Sequence, residues 1–141
     1  MEVYEVGDIE EAVELANKFN DDGTYDWFRG QTQAWPPHSS LYRLQHGIDA
    51  EASAEANRRR LASFFSWLSE IPELRYLLEP EHVHSAFAIM QHYGIPTHYI
   101  DFSTDPGVAE FFAADTKTPP VGEKSCIYCL DSQDLAGLGT R

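Results

Sequence analysis

Cysteine is scarce in this chain: Cys126 and Cys129, in Cys-Ile-Tyr-Cys, are the only two. A structural zinc site needs further Cys or His ligands at matching spacing, and none lies nearby. The Ile-Tyr context reads as a strand, where positions three apart point to opposite faces, so two ordinary thiols are expected. Basic residues are few as well, 10 against 23 acidic ones, giving a formal net charge of −13. Nucleic-acid affinity rests on Lys and Arg neutralising phosphates, so general DNA or RNA binding is disfavoured. A small local basic pocket remains compatible with that charge. No apolar run approaches membrane-spanning length. Met-Glu-Val-Tyr-Glu-Val lacks a basic n-region and an apolar h-region, so neither a signal peptide nor a membrane association is expected, and the cytoplasm is the expected location. Walker and Rossmann phosphate loops and the Gly-x-Ser-x-Gly elbow are missing too.

What is there is a folding composition. Hydrophobic residues make up 43% and aromatics 13% of 141 residues, enough for one domain (1–141) with a real core. Asp8 with Glu11 predicts a capped helix carrying Ile9, Ala12, Val13, Ala16 and Phe19, closed by Asn20-Asp21-Asp22-Gly23. Tyr25 to Arg29 alternates and predicts a strand running into Gly30. Gln31 to Ser40, with Trp35-Pro36-Pro37, predicts a loop. A long helix follows from Asp49 to about Glu70, with Leu61, Phe64, Phe65 and Leu68 as its apolar stripe. A second opens near Pro80 with Val83, Ala86, Phe87 and Met90 on one face, and Gly94 is placed as its C′ residue. Thr97 to Phe102 predicts a strand. Asp105 and Pro106 predict the start of a helix bearing Val108, Ala109, Phe112 and Ala113. A Pro/Gly loop is expected over Thr116 to Lys124 and a strand over Ser125 to Leu130. The order predicts a mixed α/β or α+β domain.

The most specific stretch is Gln91-His92-Tyr93-Gly94-Ile95-Pro96-Thr97, continuing to Asp101-Phe102-Ser103-Thr104-Asp105-Pro106. Polar side chains on a turn between rigid elements are what a site needs. Asp101 ends the expected strand, and the Ser103 and Thr104 hydroxyls suit a ribose or other polyol. Equally, Ser103 or Asp105 suits a helix cap. Arg29 can make bidentate bonds to phosphate or carboxylate, and Gly30 lets a ligand approach the backbone; a structural ion pair accounts for Arg29 as well. His82, His84, His92 and His98 crowd together, yet no pair has zincin spacing, so no metal is expected. His92, at a helix end beside a turn, is the candidate ligand-binder or general base.

Trp27-Phe28-Arg29-Gly30-Gln31, with the two stretches just quoted, resembles the FRG domain, whose name is the Phe-Arg-Gly triplet found here at 28–30. The resemblance spans roughly Trp27 to Asp131, with a motif-bearing core of about 24–131. It departs from the usual pattern at His98, where arginine is common, and at Phe102, where tryptophan is common. A weaker resemblance joins Arg29 and Phe102-Ser103-Thr104 to the first two motifs of arginine-type ADP-ribosyltransferases. That resemblance implies a small sheet flanked by helices, with NAD or another nucleotide-type molecule as substrate. Arg29, with Gly30 and Gln31, would hold NAD phosphate or ribose, and Ser103 and Thr104 would brace the nicotinamide side. The third motif of that family, a Glu-x-Glu or Gln-x-Glu on a later strand, does not occur after Thr104. Three alternatives stay open: the glutamate lies beyond residue 141, Asp101, Asp131 or His92 does different work, or the domain only binds. An ADP-ribose acceptor protein is the partner on the first two. A non-catalytic acidic interaction domain, part of a phage–host conflict system, is the rival reading.

Overall fold

The computed structural model describes residues 1–115 and 123–136, so the loop expected over Thr116 to Lys124 falls largely outside the described residues. In chain order the elements are α1 (Ile9–Asp22), β1 (Trp27–Gln31), α2 (Ser40–Gln45), α3 (Ala50–Glu70), α4 (Val83–His92), α5 (Pro106–Ala114), β2 (Cys126–Leu130) and α6 (Ser132–Ala136). Two 3-10 segments, Pro72–Leu78 and Pro80–His82, fill the interval between α3 and α4. The class is the expected α+β. The chain divides into two compact units: residues 1–36 with 101–141, and residues 37–100.

In the first unit β1 and β2 form an antiparallel two-stranded ribbon, with Trp27 opposite Leu130, Arg29 opposite Tyr128 and Gln31 opposite Cys126. Phe28, Ala16 and Ala109 make its buried core, with Tyr25, Ile127 and Cys129 packed around them. Local chemistry fixes the flanking helices. Asp8 Oδ1 accepts from Glu11 N–H at 2.9 Å, and Glu11 Oε2 accepts from Gly7 N–H at 2.8 Å, a capping box displaced by one residue. Gly23, at φ 77°, closes α1: its N–H reaches the Asn20 carbonyl and Thr24 N–H the Phe19 carbonyl. Asp105 caps α5 by accepting from Gly107 N–H at 2.8 Å, with Pro106 in the first turn.

Gly30 decides how this unit packs. A β-carbon there would stand 1.7 Å from the Ala109 carbonyl oxygen and 2.7 Å from Ala113 N, so the backbone of α5 lies directly on β1. A glycine inside a strand often marks such an approach. Ala109 and Ala113, both buried, are the small residues that α5 turns toward the strand. The apolar run along α5 therefore splits: Phe111 and Phe112 stay 64% and 54% exposed.

Residues 37–100 form a helical unit around Phe64, Leu68, Leu77, Ala86 and Met90, with Leu61, Leu74 and Phe87 at its edge. The expected stripes of α3 and α4 supply most of this core; Phe65 and Val83 are the exceptions, both exposed. Gly94 ends α4 at φ 73°, its N–H on the Gln91 carbonyl and Ile95 N–H on the Met90 carbonyl, the paired bonds of a Schellman cap. Two elements escape the sequence pattern. The six residues of α2 are opened by Ser39, whose Oγ accepts from Tyr42 N–H at 3.1 Å, and the segment 72–78 is a 3-10 helix.

The strand expected over Thr97 to Phe102 does not form. Thr97 is buried, and its backbone is spent on α2: its N–H donates to Ser40 Oγ at 3.0 Å and its carbonyl accepts from Leu41 N–H at 2.9 Å. Its hydroxyl donates to Gln91 Oε1 at 2.7 Å. With those groups occupied, no ladder can start there. One bridge remains at the far end, where Ser103 and Phe28 exchange both backbone hydrogen bonds at 2.7 and 2.8 Å. Because a β-carbon at Gly30 meets backbone rather than a movable side chain, Gly30→Ala is expected to cost about 3 kcal/mol or more. Chemical denaturation checks this, and a variant as stable as the parent contradicts the packing described.

Candidate functional site

Alternation along β1 sends Phe28 and Gly30 toward α5 and places Trp27, Arg29 and Gln31 on the opposite face. Cross-strand partners share a face, so Tyr128 and Cys126 join Arg29 and Gln31 there. Arg29 is held by neighbours on two sides: its Nε donates to Gln31 Oε1 at 3.0 Å, and its Nη1 donates to the Asp101 carbonyl at 3.0 Å. Gln31 is fixed in turn, its Nε2 donating to the Trp35 carbonyl at 2.8 Å, which also accepts from the Tyr128 hydroxyl at 2.5 Å. Beside the guanidinium, the rings of Trp27 and Phe102 stack with centroids 6.3 Å apart. The result is an oriented cation, an amide and a phenol next to an aromatic shelf. Anions and flat rings are what such a surface can hold.

The candidate residues sort themselves on this frame. Arg29, Gln31 and the Asp101 carbonyl come together. Gly30 has its bare side filled by α5, so its glycine is accounted for by helix packing. Ser103 Oγ accepts from Asp105 N–H at 3.0 Å, bracing the turn, and its hydrogen remains able to donate. Thr104 and the Asp101 side chain are exposed in the same turn. His92 belongs to the other unit, at the exposed end of α4, among Trp67, Leu74, Ile89 and Tyr93. Of the other histidines, His84 contacts the Tyr99 hydroxyl and His98 lies edge-on to Phe87 at 5.0 Å. Glu79 and Glu81, both exposed, and the half-buried His82 have ligand atoms within 4.8 Å of one another around the Pro80–His82 3-10 turn. Trp27 and Phe102 stand in the motifs without an expected site role, and Tyr128 and Cys126 were not expected on this face. Alternation from Arg29 points to Trp27, but Tyr128 and Cys126 need the register of a strand far along the chain.

The two thiols lie on opposite faces of β2. Burial raises the Cys126 thiol, with the Arg29 charge pulling the other way, and Tyr128 is raised by burial and by Cys126 beside it. Cys129 sits against the Phe28 core, and burial pushes it up to about 11. Both are therefore neutral thiols at neutral pH and poor nucleophiles. Asp26, which accepts from Ser132 N–H at 2.7 Å and from its hydroxyl at 2.5 Å, is held below the usual carboxylate range by those bonds.

The chain belongs to the FRG domain family: the family's sequence profile matches residues 25–121. That range takes in β1, the whole 37–100 unit, the Ser103 turn and α5, while β2 with Tyr128 lies beyond it. No curated protein and no solved structure matches the chain.

A folded thiol whose pKa lies above the ordinary 9.0 favours the folded state while protonated. The Cys129 contribution is then fully present below pH 9 and is lost as pH rises through about 11. Unfolding free energies across that alkaline range should fall less steeply in Cys129→Val than in the parent. Parallel curves contradict the placement of Cys129 in the core.

Proposed function

We propose that this FRG domain binds NAD or a related nucleotide on the ribbon face centred on Arg29. The observation that carries the reading is the guanidinium fixed by Gln31 and the Asp101 carbonyl beside the stacked Trp27–Phe102 pair. A positioned arginine suits a phosphate, and stacking a base on an aromatic ring is worth about 1–3 kcal/mol. The exposed Thr104 hydroxyl and Asp101 carboxylate stand in the neighbouring turn, where a ribose would find partners.

The fuller form of this reading is transfer of ADP-ribose. The bond between nicotinamide and the ribose carbon breaks, nicotinamide leaves with the bonding electrons, and an acceptor protein or water attacks the carbon and loses a proton. The positive charge that develops on the ribose calls for a fixed carboxylate, and Asp101 is the candidate on this face. The second reading, a non-catalytic acidic interaction domain in a phage–host conflict system, draws on the exposed Phe111 and Phe112 and on the net charge of −13.

Titrating NAD by calorimetry separates these. Binding is expected in the parent, with Arg29→Ala at least about tenfold weaker, the effect of removing one hydrogen bond to a charged group. Labelled NAD then tests transfer: label on protein or free ADP-ribose supports the fuller form. Absence of heat in the folded parent, or binding unaltered by Arg29→Ala, defeats the binding reading.

A further inference from the structure

Residues 37–100 contain a concavity that the Arg29 reading does not use. Arg59, Arg60, Phe64 and Trp67 of α3, with Tyr93 and Ile95 at the end of α4, surround about 530 Å³. That volume is in the range of small-molecule sites. The spacing explains the assembly: positions 60, 64 and 67 fall on one stripe of α3, so an arginine, a buried ring and a half-exposed ring lie in line. Trp67 meets Phe64 at 5.9 Å and Tyr93 at 6.4 Å between centroids. Tyr93 stays 67% exposed and Trp67 41%, although the Schellman bonds of Gly94 and Ile95 hold this end of α4 rigid. Large rings kept open on a fixed frame are what a binding wall requires.

The charge at the mouth runs against the rest of the molecule. Arg58, Arg59 and Arg60 are consecutive in a chain with only 10 basic residues. Glu55 alone serves two of them, Arg58 at 2.7 Å and Arg59 at 3.2 Å, and Arg60 makes no ion pair among the described residues. One carboxylate among three guanidiniums leaves a local positive spot beside an apolar pocket. An occupant must therefore cover rings and carry negative charge. A long polyanion would meet the acidic surface of a chain at −13, whereas a small ligand with one anionic head meets chiefly the arginines.

We propose that this α3–α4 pocket binds small amphipathic organic anions, with the apolar body against Trp67 and Tyr93 and the head group at Arg59 and Arg60. The same chemistry is found in flat aromatic acids and in linear acyl acids.

Calorimetry with 2-naphthoate, decanoate and the neutral 2-naphthamide tests it on the full chain. Naphthoate is expected to bind about fivefold tighter than the amide, the size of an interaction between partly exposed charges. Arg59→Gln with Arg60→Gln should bring acid and amide to equal affinity, and Trp67→Ala should weaken both. In an Arg29→Ala background the preference for acid over amide and the loss on Trp67→Ala should both persist, which separates this pocket from the ribbon face. Tighter naphthoate than decanoate assigns the pocket to planar anions, and the reverse assigns it to acyl chains. The ratio of acid to amide within each variant is independent of how much protein is folded. Equal affinity for acid and amide in the parent, absence of binding by both acids, or binding that survives Trp67→Ala overturns the proposal.

Discussion

The carbonyl of Ala109 occupies the space where a β-carbon on Gly30 would lie, and the first unit is arranged around that approach. With the backbone of α5 laid on β1, Phe28 is sealed beneath it with Ala16 and Ala109. The chain entering α5 is thereby drawn along the strand, close enough for Ser103 to pair with Phe28. That pairing carries Asp101 to the carbonyl bond with Arg29. The Phe-Arg-Gly triplet thus divides by face: Phe28 fills the core, Gly30 admits the helix, and Arg29 between them is turned to the opposite side. Alternation of a strand requires this division once two of the three residues are committed inward.

Much of this was legible where the determinants are local. Asp8, Gly23, Gly94 and the Asp105-Pro106 pair each act within a few residues, and each caps the helix end it was expected to cap. The strand over 97–102 failed for a reason no local pattern holds. Thr97 is β-branched and shortly precedes Tyr99 and Ile100, yet its hydrogen bonds go to Ser40 and Leu41, 57 and 56 positions away. On the ribbon face Arg29 and Gln31 were readable as motif residues, whereas Tyr128 depends on strand register. Gly30 was given a ligand-facing reason, and the structure supplies a packing one instead. That distinction lies in which side of the strand α5 covers, and spacing along the chain is silent on it.

The second motif has a similarly mixed character. Gln91 and Thr97 bond to each other, and Gly94 supplies the left-handed turn between them, so three of its residues hold the shape of the segment. Tyr93 and His92 have no such duty and face solvent, where they line shallow pockets with Trp67. A motif that reads as one unit in sequence is a folded clip with a few side chains left exposed. The family match spans both motifs, and each unit presents a surface of its own. One surface joins a fixed guanidinium to a stacked aromatic pair; the other joins exposed rings to a run of arginines.

On the proposed reading a nucleotide docks on the Arg29 face. Backbone amide NMR of the labelled chain during titration with ADP-ribose tests it most directly. Saturable shifts are expected to gather on Trp27, Arg29, Gln31, Phe102 and Tyr128, with the amides of α3 unmoved. Shifts confined to α3 and α4, or none at saturating ADP-ribose, would contradict it.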